Sequence, residues 1–497
     1  MSKQIRNLGI FLALCYVALF AQVNRLTVFQ AEELQNDPRN TRALERDFAA
    51  PRGSIITADG VLVAQSVETE GPNNQFELQR QYPTGELYAH ITGYFSLRLG
   101  ADGLERTYND ELAGRTLGLD LRAIDDYFLD QDRVGNLTLT LRNDLQEVAR
   151  RALGERPGSV VALDPRTGAI LAMWSYPSYD PNVLSSHNFD EAERIRQLLD
   201  EDPEKPLLSR AYGERFFPGS TFKVVTAAAG IEAGTVTPNT PDYPETSEYL
   251  PPRTTRPISN FGGATCGGTL FVVLAVSCNT AFAQMGVEQA GADAMVDTAE
   301  EFGFNSDVPL DLPNPAQSSF PPESEFEFAE ALLAQSAIGQ FSVQATPLQM
   351  ALVAAGVANG GEVPTPHVVG EVRDNSDRVV DEIDPGPWRT AIDAGTAQLL
   401  REAMIGVVED GTATNLQLDG FEVGGKTGTA QLGTDPPSSH AWIIGFAGPE
   451  GEEPQVAVAV IVQGQEGASE QTGGRVAAPV AAEVLTRALA PPASAAP

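Results

Sequence analysis

Apolar residues run without a charged residue through Leu8–Val23. Lys3 and Arg6 precede this run, whose length is close to the roughly 17–25 residues that a membrane-spanning helix needs. We expect an uncleaved single-pass anchor in the cell membrane, with its N-terminus in the cytoplasm because the basic residues lie on that side, and the remaining chain outside. A cleaved signal peptide is the alternative, although a cut after Ala21 would leave the large Leu19 where a small residue is usual.

Along the rest of the chain, stretches in which apolar and polar residues alternate are followed by stretches with the apolar spacing of a helix. Residues 51–66 predict a β-hairpin with Ala-Asp-Gly at its turn, and 93–115 combine turn glycines with a short helical pattern. From Leu137, alternation changes to helical spacing, which we interpret as the start of a new domain. Residues 158–182 predict two strands around an Asp-Pro-Arg-Thr-Gly turn, helices dominate the middle, and strands return over 421–464.

This order of elements predicts the architecture. Strands at both ends of a helical middle indicate one mixed sheet, built from distant chain segments, with helices packed on it. The closing Ala- and Pro-rich stretch is of low complexity and is predicted to be disordered. We therefore expect a cytoplasmic end with an anchor, an N-terminal pedestal domain, a large C-terminal domain and a tail, with the limits 1–26, 27–136, 137–487 and 488–497.

The composition excludes some function classes. The chain has 33 Lys and Arg against 67 Asp and Glu, a formal net charge of −34. Such a surface repels phosphate backbones, so we expect no nucleic-acid partner. The four histidines have no metal-ligand spacing, so no metal is expected. Cys15 lies in the predicted anchor, which leaves Cys266 and Cys278 outside the membrane as either a disulfide or two buried thiols.

One serine and one lysine stand out as candidate chemistry. Pro218 and Gly219 precede apolar, helix-compatible residues, so Ser220 should lie at a helix N-terminus with Lys223 one turn later on the same face. An amine removed from water loses its proton readily, whereas a guanidinium stays charged, so lysine and not arginine suits a base. Lysine is rare in this chain, which has only Lys3, Lys205, Lys223 and Lys426. Ser-x-x-Lys alone is weak evidence, because surface helices contain such pairs by chance.

Two further stretches supply polar groups that suit the same chemistry. Ser277 and Asn279 offer a hydroxyl and an amide two residues apart, after an apolar helical run. The stretch Lys426–Thr429 lies in a predicted strand, where alternation puts the lysine on one face and both threonines on the other. Gly428 within it would leave room for a ligand backbone to approach.

In this order the three motifs resemble the signature of class A β-lactamases and penicillin-binding proteins, with Cys278 in place of an aspartate. Other stretches are also similar in the expected order, including RGSIITADG, GLERTYNDELAG, VVALDPRTGAILAM, SAIGQFSVQATPLQMA, VVEDGTATN and HAWIIGFAG. The chain thus resembles a class B penicillin-binding protein, a membrane-anchored peptidoglycan D,D-transpeptidase, and looks closest to the actinobacterial PbpA-type group. The resemblance implies an α/β (α+β) serine transpeptidase/β-lactamase-like domain, with a mainly antiparallel mixed sheet and a helical subdomain, on a smaller dimerisation-like pedestal.

The resemblance also implies catalytic roles. Ser220 would attack the penultimate D-Ala carbonyl of a donor stem peptide, and Lys223 would accept its proton. Ser277 and Lys426 would pass a proton to the departing D-Ala. The backbone N–H groups of Ser220 and Thr429 would form the oxyanion hole.

Substrate contacts and partners follow in the same way. Asn279 would hold the donor amide, and Thr427 and Thr429 would hold its terminal carboxylate. Lys426 would supply positive charge there, and Gly428 would belong to the same substrate-binding strand. The implied ligands are peptidoglycan stem peptides and β-lactam antibiotics, and the implied protein partners are a membrane glycosyltransferase and other cell-wall or division proteins. No cofactor is implied.

Other functions remain open on the sequence alone. A serine β-lactamase needs a positioned glutamate, and no Glu-x-x-Asn occurs between Cys278 and Lys426. A D,D-carboxypeptidase is not separated from a transpeptidase by these motifs. A β-lactam sensor would have several membrane segments, and a scaffold of the division machinery would be free to lose Ser220 or Lys223, both of which are present.

Overall fold

The computed structural model describes residues 3–25, 48–69, 76–116, 134–433, 438–464 and 471–491. Residues 27–47 of the predicted pedestal and 492–497 of the predicted tail lie outside these ranges. Within them, the predicted order of strands and helices is confirmed along the chain.

Many of the strands are short, and the two longest, β17 and β18, belong to one central sheet. The strands are β1 (Ile55–Ile56), β2 (Leu62–Glu68), β3 (Leu78–Gln81), β4 (Phe95–Ser96), β5 (Gly100–Ala101), β6 (Asn136–Leu139), β7 (Gly158–Leu163), β8 (Ile170–Tyr176), β9 (Tyr243–Thr246), β10 (Glu248–Tyr249), β11 (Ile258–Ser259), β12 (Cys266–Gly268), β13 (Glu362–Pro364), β14 (Val369–Arg373), β15 (Val379–Glu382), β16 (Pro387–Thr390), β17 (Phe421–Gln431), β18 (Ser439–Pro449) and β19 (Val456–Val462).

The helices are concentrated between β8 and β17. The α-helices are α1 (Lys3–Asn24), α2 (Ala89–Thr92), α3 (Gly103–Thr107), α4 (Asn109–Leu112), α5 (Asn143–Leu153), α6 (Pro181–Leu184), α7 (Phe189–Glu201), α8 (Lys223–Glu232), α9 (Leu270–Ala275), α10 (Asn279–Gln284), α11 (Gly291–Glu301), α12 (Glu330–Ser336), α13 (Pro347–Ala358), α14 (Ala394–Glu409) and α15 (Ala478–Leu489). Helix α15 includes residues 488 and 489, so the disordered tail predicted from 488 begins too early: the apolar face of the helix keeps these residues ordered.

The central sheet has five strands in the order β17-β18-β19-β7-β8. All its neighbouring pairs are antiparallel, so the parallel pairing expected in a mixed sheet lies elsewhere in the molecule. Every residue of β7 and β19 is buried, which matches their continuous apolar sequences and requires cover on both faces of the sheet.

Helices supply that cover. Helix α13 is buried along its whole length and packs on β7, β18 and β19. It begins where Thr346 Oγ1 accepts a hydrogen bond from the backbone of Gln349 at 3.1 Å, with Pro347 at the first helical position. Helices α5 and α15 pack on each other and on strands of the same sheet. The sheet is therefore a rigid platform for β17, which carries the Lys-Thr-Gly-Thr stretch.

A second sheet joins the N-terminal region to the C-terminal one. Its order is β15-β14-β6-β1-β2-β3. Strand β1 runs parallel to β6, with Ile55 opposite Leu137, and β6 pairs antiparallel with β14, with Leu137 opposite Val372. Strands from before residue 69 and from after residue 368 thus share one backbone ladder.

A buried ion cluster ties the N-terminal segments together. The Glu105 carboxylate, which is fully buried, pairs with Arg52 and with Arg80, whose Nε lies 2.6 Å away. The Tyr82 hydroxyl donates to the same carboxylate at 3.2 Å. Burial alone would raise the pKa of Glu105, but the charges of Arg80 and Arg52 and their hydrogen bonds hold it below the ordinary value. The buried Glu105 carboxylate therefore stays charged because two arginines pair with it.

Candidate active site

The candidate nucleophile lies on a tight turn. Residues Gly219–Phe222 form one 3₁₀ turn that continues directly into α8, so Ser220 lies in the first turn of this helical segment, as the sequence predicts. Gly219 has a φ of +54°, and a Cβ atom there would lie 3.0 Å from the backbone oxygen of Thr429. Glycine thus lets the turn press against β17. Ser220 is brought beside the Lys-Thr-Gly-Thr strand.

Lys223 is the first residue of α8 and is fully buried. Its Nζ donates to the Ser277 backbone oxygen and to Asn279 Oδ1, both at 2.7 Å, and lies 3.3 Å from Ser277 Oγ. Within the described ranges, Ser220 Oγ is not among its hydrogen-bond partners, although the sequence pattern made these two side chains neighbours. A buried amine must find acceptors, and the loop that carries Ser277 and Asn279 supplies three of them.

Ser277 occupies the loop between α9 and α10 in a backbone conformation that is unusual for a side-chain-bearing residue. Its φ is +60°, which costs of order 1–3 kcal/mol and persists only where the surroundings enforce it. Two backbone hydrogen bonds do so: Ser277 N to Leu274 O at 3.1 Å, and Cys278 N to Val273 O at 2.9 Å. The Ser277 hydroxyl is thereby aimed at the two buried lysines.

Lys426 reaches the same hydroxyl from the central sheet. It lies in β17 opposite Ile444 of β18 and is fully buried. Its Nζ donates to Ser277 Oγ at 2.8 Å and to the Thr427 backbone oxygen at 3.0 Å. Ser277 Oγ therefore lies within hydrogen-bonding distance of both Lys223 and Lys426.

Burial changes the protonation of both amines. It lowers the pKa of Lys426 to about 7. Burial, and after it the charge of Lys426, lowers the pKa of Lys223 well below its ordinary value. A neutral amine is thus accessible near neutral pH, which an arginine at either position would not provide. The Ser277 hydroxyl between them can carry a proton from one to the other.

Ser277 borders a cavity of about 1100 Å³. Its walls include Ser220, Ser277, Asn279, Thr427 and Thr429, so all three sequence motifs meet in one place. Both threonines face the cavity, as the alternation along the strand predicts, while Lys426 approaches Ser277 from behind it. Among the residues described, no group of three or more His, Cys, Asp or Glu side chains is arranged to hold a metal ion.

Gly428 has a different role from the one expected. A Cβ atom there would lie 2.9 Å from Pro218 O and 3.0 Å from both Thr221 Cγ2 and Trp442 Cβ. The space beside its Cα is therefore filled by the protein and is not left for a ligand. Glycine at this position allows the Ser220 turn to pack on the strand.

The family model described as penicillin binding protein transpeptidase domain matches residues 158–486. The chain belongs to the penicillin-binding protein transpeptidases. A second model, described as the penicillin binding protein A dimerisation domain, matches residues 52–137. The resemblance inferred from the motifs is confirmed, and with it the fold class.

Relatives of this penicillin-binding protein align along nearly its whole length. Peptidoglycan D,D-transpeptidase PbpA of Mycolicibacterium smegmatis is 37% identical over 506 aligned residues, covering 98% of this chain and 99% of that one. PbpA of Mycobacterium tuberculosis is also 37% identical and covers the same shares. The structure of M. tuberculosis penicillin-binding protein A as a penicillin G acyl-enzyme complex has a TM-score of 0.78 and 37% identity, covering 88% of this chain and 99% of that one.

The two cysteines of this penicillin-binding protein that lie outside α1 are joined. Cys266 of β12 forms a disulfide with Cys278, and their Cα atoms are 5.9 Å apart. Cys278 stands between Ser277 and Asn279, so the bond links the loop at the cavity wall to a short β-sheet formed by β9 and β12. Of the two alternatives left open by the sequence, the structure contains the disulfide.

Several cavity residues of this penicillin-binding protein were missed by sequence reasoning. Thr412 Oγ1 lies 2.7 Å from Thr427 Oγ1 and so orients a hydroxyl that faces the cavity. Asn415 Nδ2 donates to Gly474 O at 2.8 Å, and Arg475 lies on the adjoining wall. Thr412 and Asn415 fall within the VVEDGTATN stretch, which was recognised without a role for either, whereas no local pattern marks Arg475.

Proposed function

We propose that this penicillin-binding protein is a peptidoglycan D,D-transpeptidase, which cross-links stem peptides through a serine acyl-enzyme and is acylated by penicillin on the same serine. The observation that carries the proposal is the convergence of Lys223 and Lys426 on Ser277, beside the cavity that Ser220 borders. The names of the relatives, and the penicillin G complex of one of them, support it.

Acylation begins when Ser220 Oγ attacks the carbonyl of the penultimate D-Ala. Neutral Lys223 accepts the hydroxyl proton, for which its amine turns from Asn279 toward Ser220 once substrate is bound. The developing oxyanion accepts hydrogen bonds from the backbone N–H groups of Ser220 and Thr429, each worth about 3–4 kcal/mol in comparable sites. The close contact between Gly219 and Thr429 supports this pairing, because it brings the two donor segments together.

The leaving group then needs a proton. The proton taken by Lys223 passes through the Ser277 hydroxyl, with Lys426 on its other side, to the amine of the departing D-Ala. The C–N bond breaks and the acyl-enzyme remains on Ser220. An amine from a second strand attacks this ester, gives up its proton along the same path, and releases Ser220.

Substrate positioning falls to the polar cavity wall. Asn279 offers its amide to the donor peptide, although in the free protein Oδ1 accepts from Lys223 and Nδ2 donates to Ser259 O at 3.1 Å. Thr427 and Thr429 hold the terminal carboxylate of the donor.

Labelling with a fluorescent penicillin tests the proposal. The wild-type protein and a Ser376→Ala variant, which removes an exposed serine elsewhere, should label equally. Ser220→Ala should not label at all, and any covalent labelling of it would reject Ser220 as the nucleophile. Slow release of the bound drug agrees with a transpeptidase, whereas rapid turnover would indicate a β-lactamase. With stem-peptide substrate, cross-linked dimers agree with the proposal, and trimmed peptides alone would indicate a carboxypeptidase.

The proposal extends to location, domains and partners. Residues 6–24 of α1 form a helix long and apolar enough to span a membrane. We place its N-terminus in the cytoplasm, the pedestal (27–136) and catalytic domain (137–487) outside, and a membrane glycosyltransferase with other cell-wall or division proteins as partners. Protease digestion of intact spheroplasts should remove the penicillin-labelled domain, and protection from the protease would contradict this orientation. The partner is tested by placing a cross-linker on the exposed edge strand β15. A cross-link to the glycosyltransferase would support the partnership, and none from any position on β15 would contradict it.

A further inference from the structure

One wall of the active-site cavity carries a permanent positive charge. Among the residues described as lining the cavity, Arg475 is the one with a cationic side chain, and Glu245 is the one with an anionic side chain. Arg475 is exposed. In the described part of the chain its guanidinium forms no ion pair, with Glu245 or any other carboxylate, and no hydrogen bond.

The backbone just before Arg475 packs closely against strands β17 and β18. Gly473 and Gly474 precede it, and a side chain on Gly473 would clash with the backbone of Trp442. A Cβ atom on Gly474 would clash with Thr412 O and lie 3.6 Å from Thr427 Cγ2. Because both residues are glycines, the backbone at 473–474 can pack against β18 and β17. Arg475 is then the next residue after the one that contacts Thr427.

A guanidinium on this wall would add a permanent charge to the partial charge of the two lysines. Lys223 and Lys426 are both fully buried, and burial favours their neutral forms. A base must be neutral to accept a proton, so the same amine cannot also hold a carboxylate by its charge at that moment. A guanidinium stays charged in any protein site and matches a carboxylate with two parallel N–H donors. The two tasks are thus divided between different residues.

We propose that Arg475 is a specificity residue for the carboxylate that ends the donor peptide, and for the equivalent carboxylate of a penicillin. Its guanidinium would bind this carboxylate inside the cavity, next to Thr427. The inference rests on the proposed function for the identity of the substrate, and adds to it a residue outside the three motifs.

A charge-matched pair of ligands tests this. Acylation of the full-length protein in detergent is measured with penicillin G, which carries a carboxylate, and with its methyl ester, which does not. Arg475→Gln should lower the second-order acylation rate constant for penicillin G about five- to tenfold and leave that for the ester unchanged. Arg475→Lys should restore part of the loss. Arg151→Gln, which removes an exposed charge on α5 away from the cavity, is the matched control and should change neither rate.

Two results would overturn the inference. An equal loss for acid and ester would mean that Arg475 merely shapes the wall, and no loss for either would mean that it contacts no carboxylate. Noncovalent binding of the same two ligands to the Ser220→Ala protein, followed by saturation-transfer NMR, repeats the contrast without chemistry. If wild-type protein is never acylated, the proposed function fails, while this binding contrast still decides the role of Arg475.

Discussion

Lys223 Nζ donates to Asn279 Oδ1 over 2.7 Å, joining two motifs that lie 56 residues apart. The amide oxygen therefore sets the resting position of the proposed base. Because an amide is uncharged, it favours the ammonium form of Lys223 much less than a carboxylate would.

Asn279→Asp should consequently move the pH dependence of acylation upward. In the wild type, the rate should fall on acidification because the base must be neutral, and burial, followed by the charge of Lys426, holds the pKa of Lys223 well below its ordinary value. The new carboxylate raises the pKa of Lys223, so its neutral form is lost at neutral pH and returns only at higher pH. Penicillin acylation rates between pH 5.5 and 10 measure the shift.

Asn279→Ser is the control for this pH profile, since it removes the amide without adding charge. It should slow acylation but leave the midpoint of the profile in place. An unchanged midpoint in the aspartate variant would contradict a titrating amine beside residue 279.

Lys223→Arg should abolish acylation even though positive charge is conserved. A guanidinium cannot release a proton in this site, so the base is lost, and we expect the rate constant to fall at least about 10²–10⁴-fold. Lys205→Arg is the matched exchange at an exposed lysine and should be silent. The melting temperature of each variant separates lost chemistry from lost fold. A well-folded Lys223→Arg protein that still acylates would exclude Lys223 as the base.

The double variant Cys266→Ala/Cys278→Ala should lower the free energy of unfolding by about 2–4 kcal/mol, since the bond restricts a loop in the unfolded chain. It should also slow acylation, because Cys278 stands next to the strained backbone of Ser277. Guanidinium titration and penicillin labelling measure the two effects. Cys15→Ala, outside the pair, is the control. Free thiols at both positions in exported protein, found by mass spectrometry, would show that the bond does not form.

Glu105→Gln should destabilise the protein by about 3–5 kcal/mol, because it leaves Arg52 and Arg80 buried without their counter-charge. Glu191→Gln breaks an exposed pair with Arg194 and should have no measurable effect. Differential scanning calorimetry of both variants makes the comparison. If the two variants melt alike, the Glu105 cluster does not hold the N-terminal segments together.

The strands and helices near the site follow from local sequence pattern, whereas their long-range partners do not. Alternation and turn residues predicted β7, β8 and β17 to β19, because each has a continuous or alternating apolar run between turn signals. The pairing of β6 with β14 joins segments more than 200 residues apart, and no local pattern contains it. Local pattern likewise does not show that the three motifs meet in one site, which was inferred from the family resemblance. The contact of Lys223 with Asn279 was not predicted.

The smaller surprises at the site also have physical causes. Gly428 was expected to admit a ligand, but the strand packs against the Ser220 turn, and only the three-dimensional contact with Pro218 reveals this. Arg475 carried no signal, because a single arginine after two glycines is common in loops. Its position becomes meaningful only when the walls of the cavity are known.

The ladder from β15 through β6 to β3 has a practical consequence for anyone who wishes to produce this enzyme without helix α1. A polypeptide that starts at 158, where the transpeptidase match begins, lacks β1 and β6 and would expose the unpaired edge of β14, inviting aggregation. Soluble expression should instead start before Arg52, so that both edges of β6 are covered. The same continuous ladder means that a pull on residues 55–81 is resisted by backbone hydrogen bonds that run through β6 to β14.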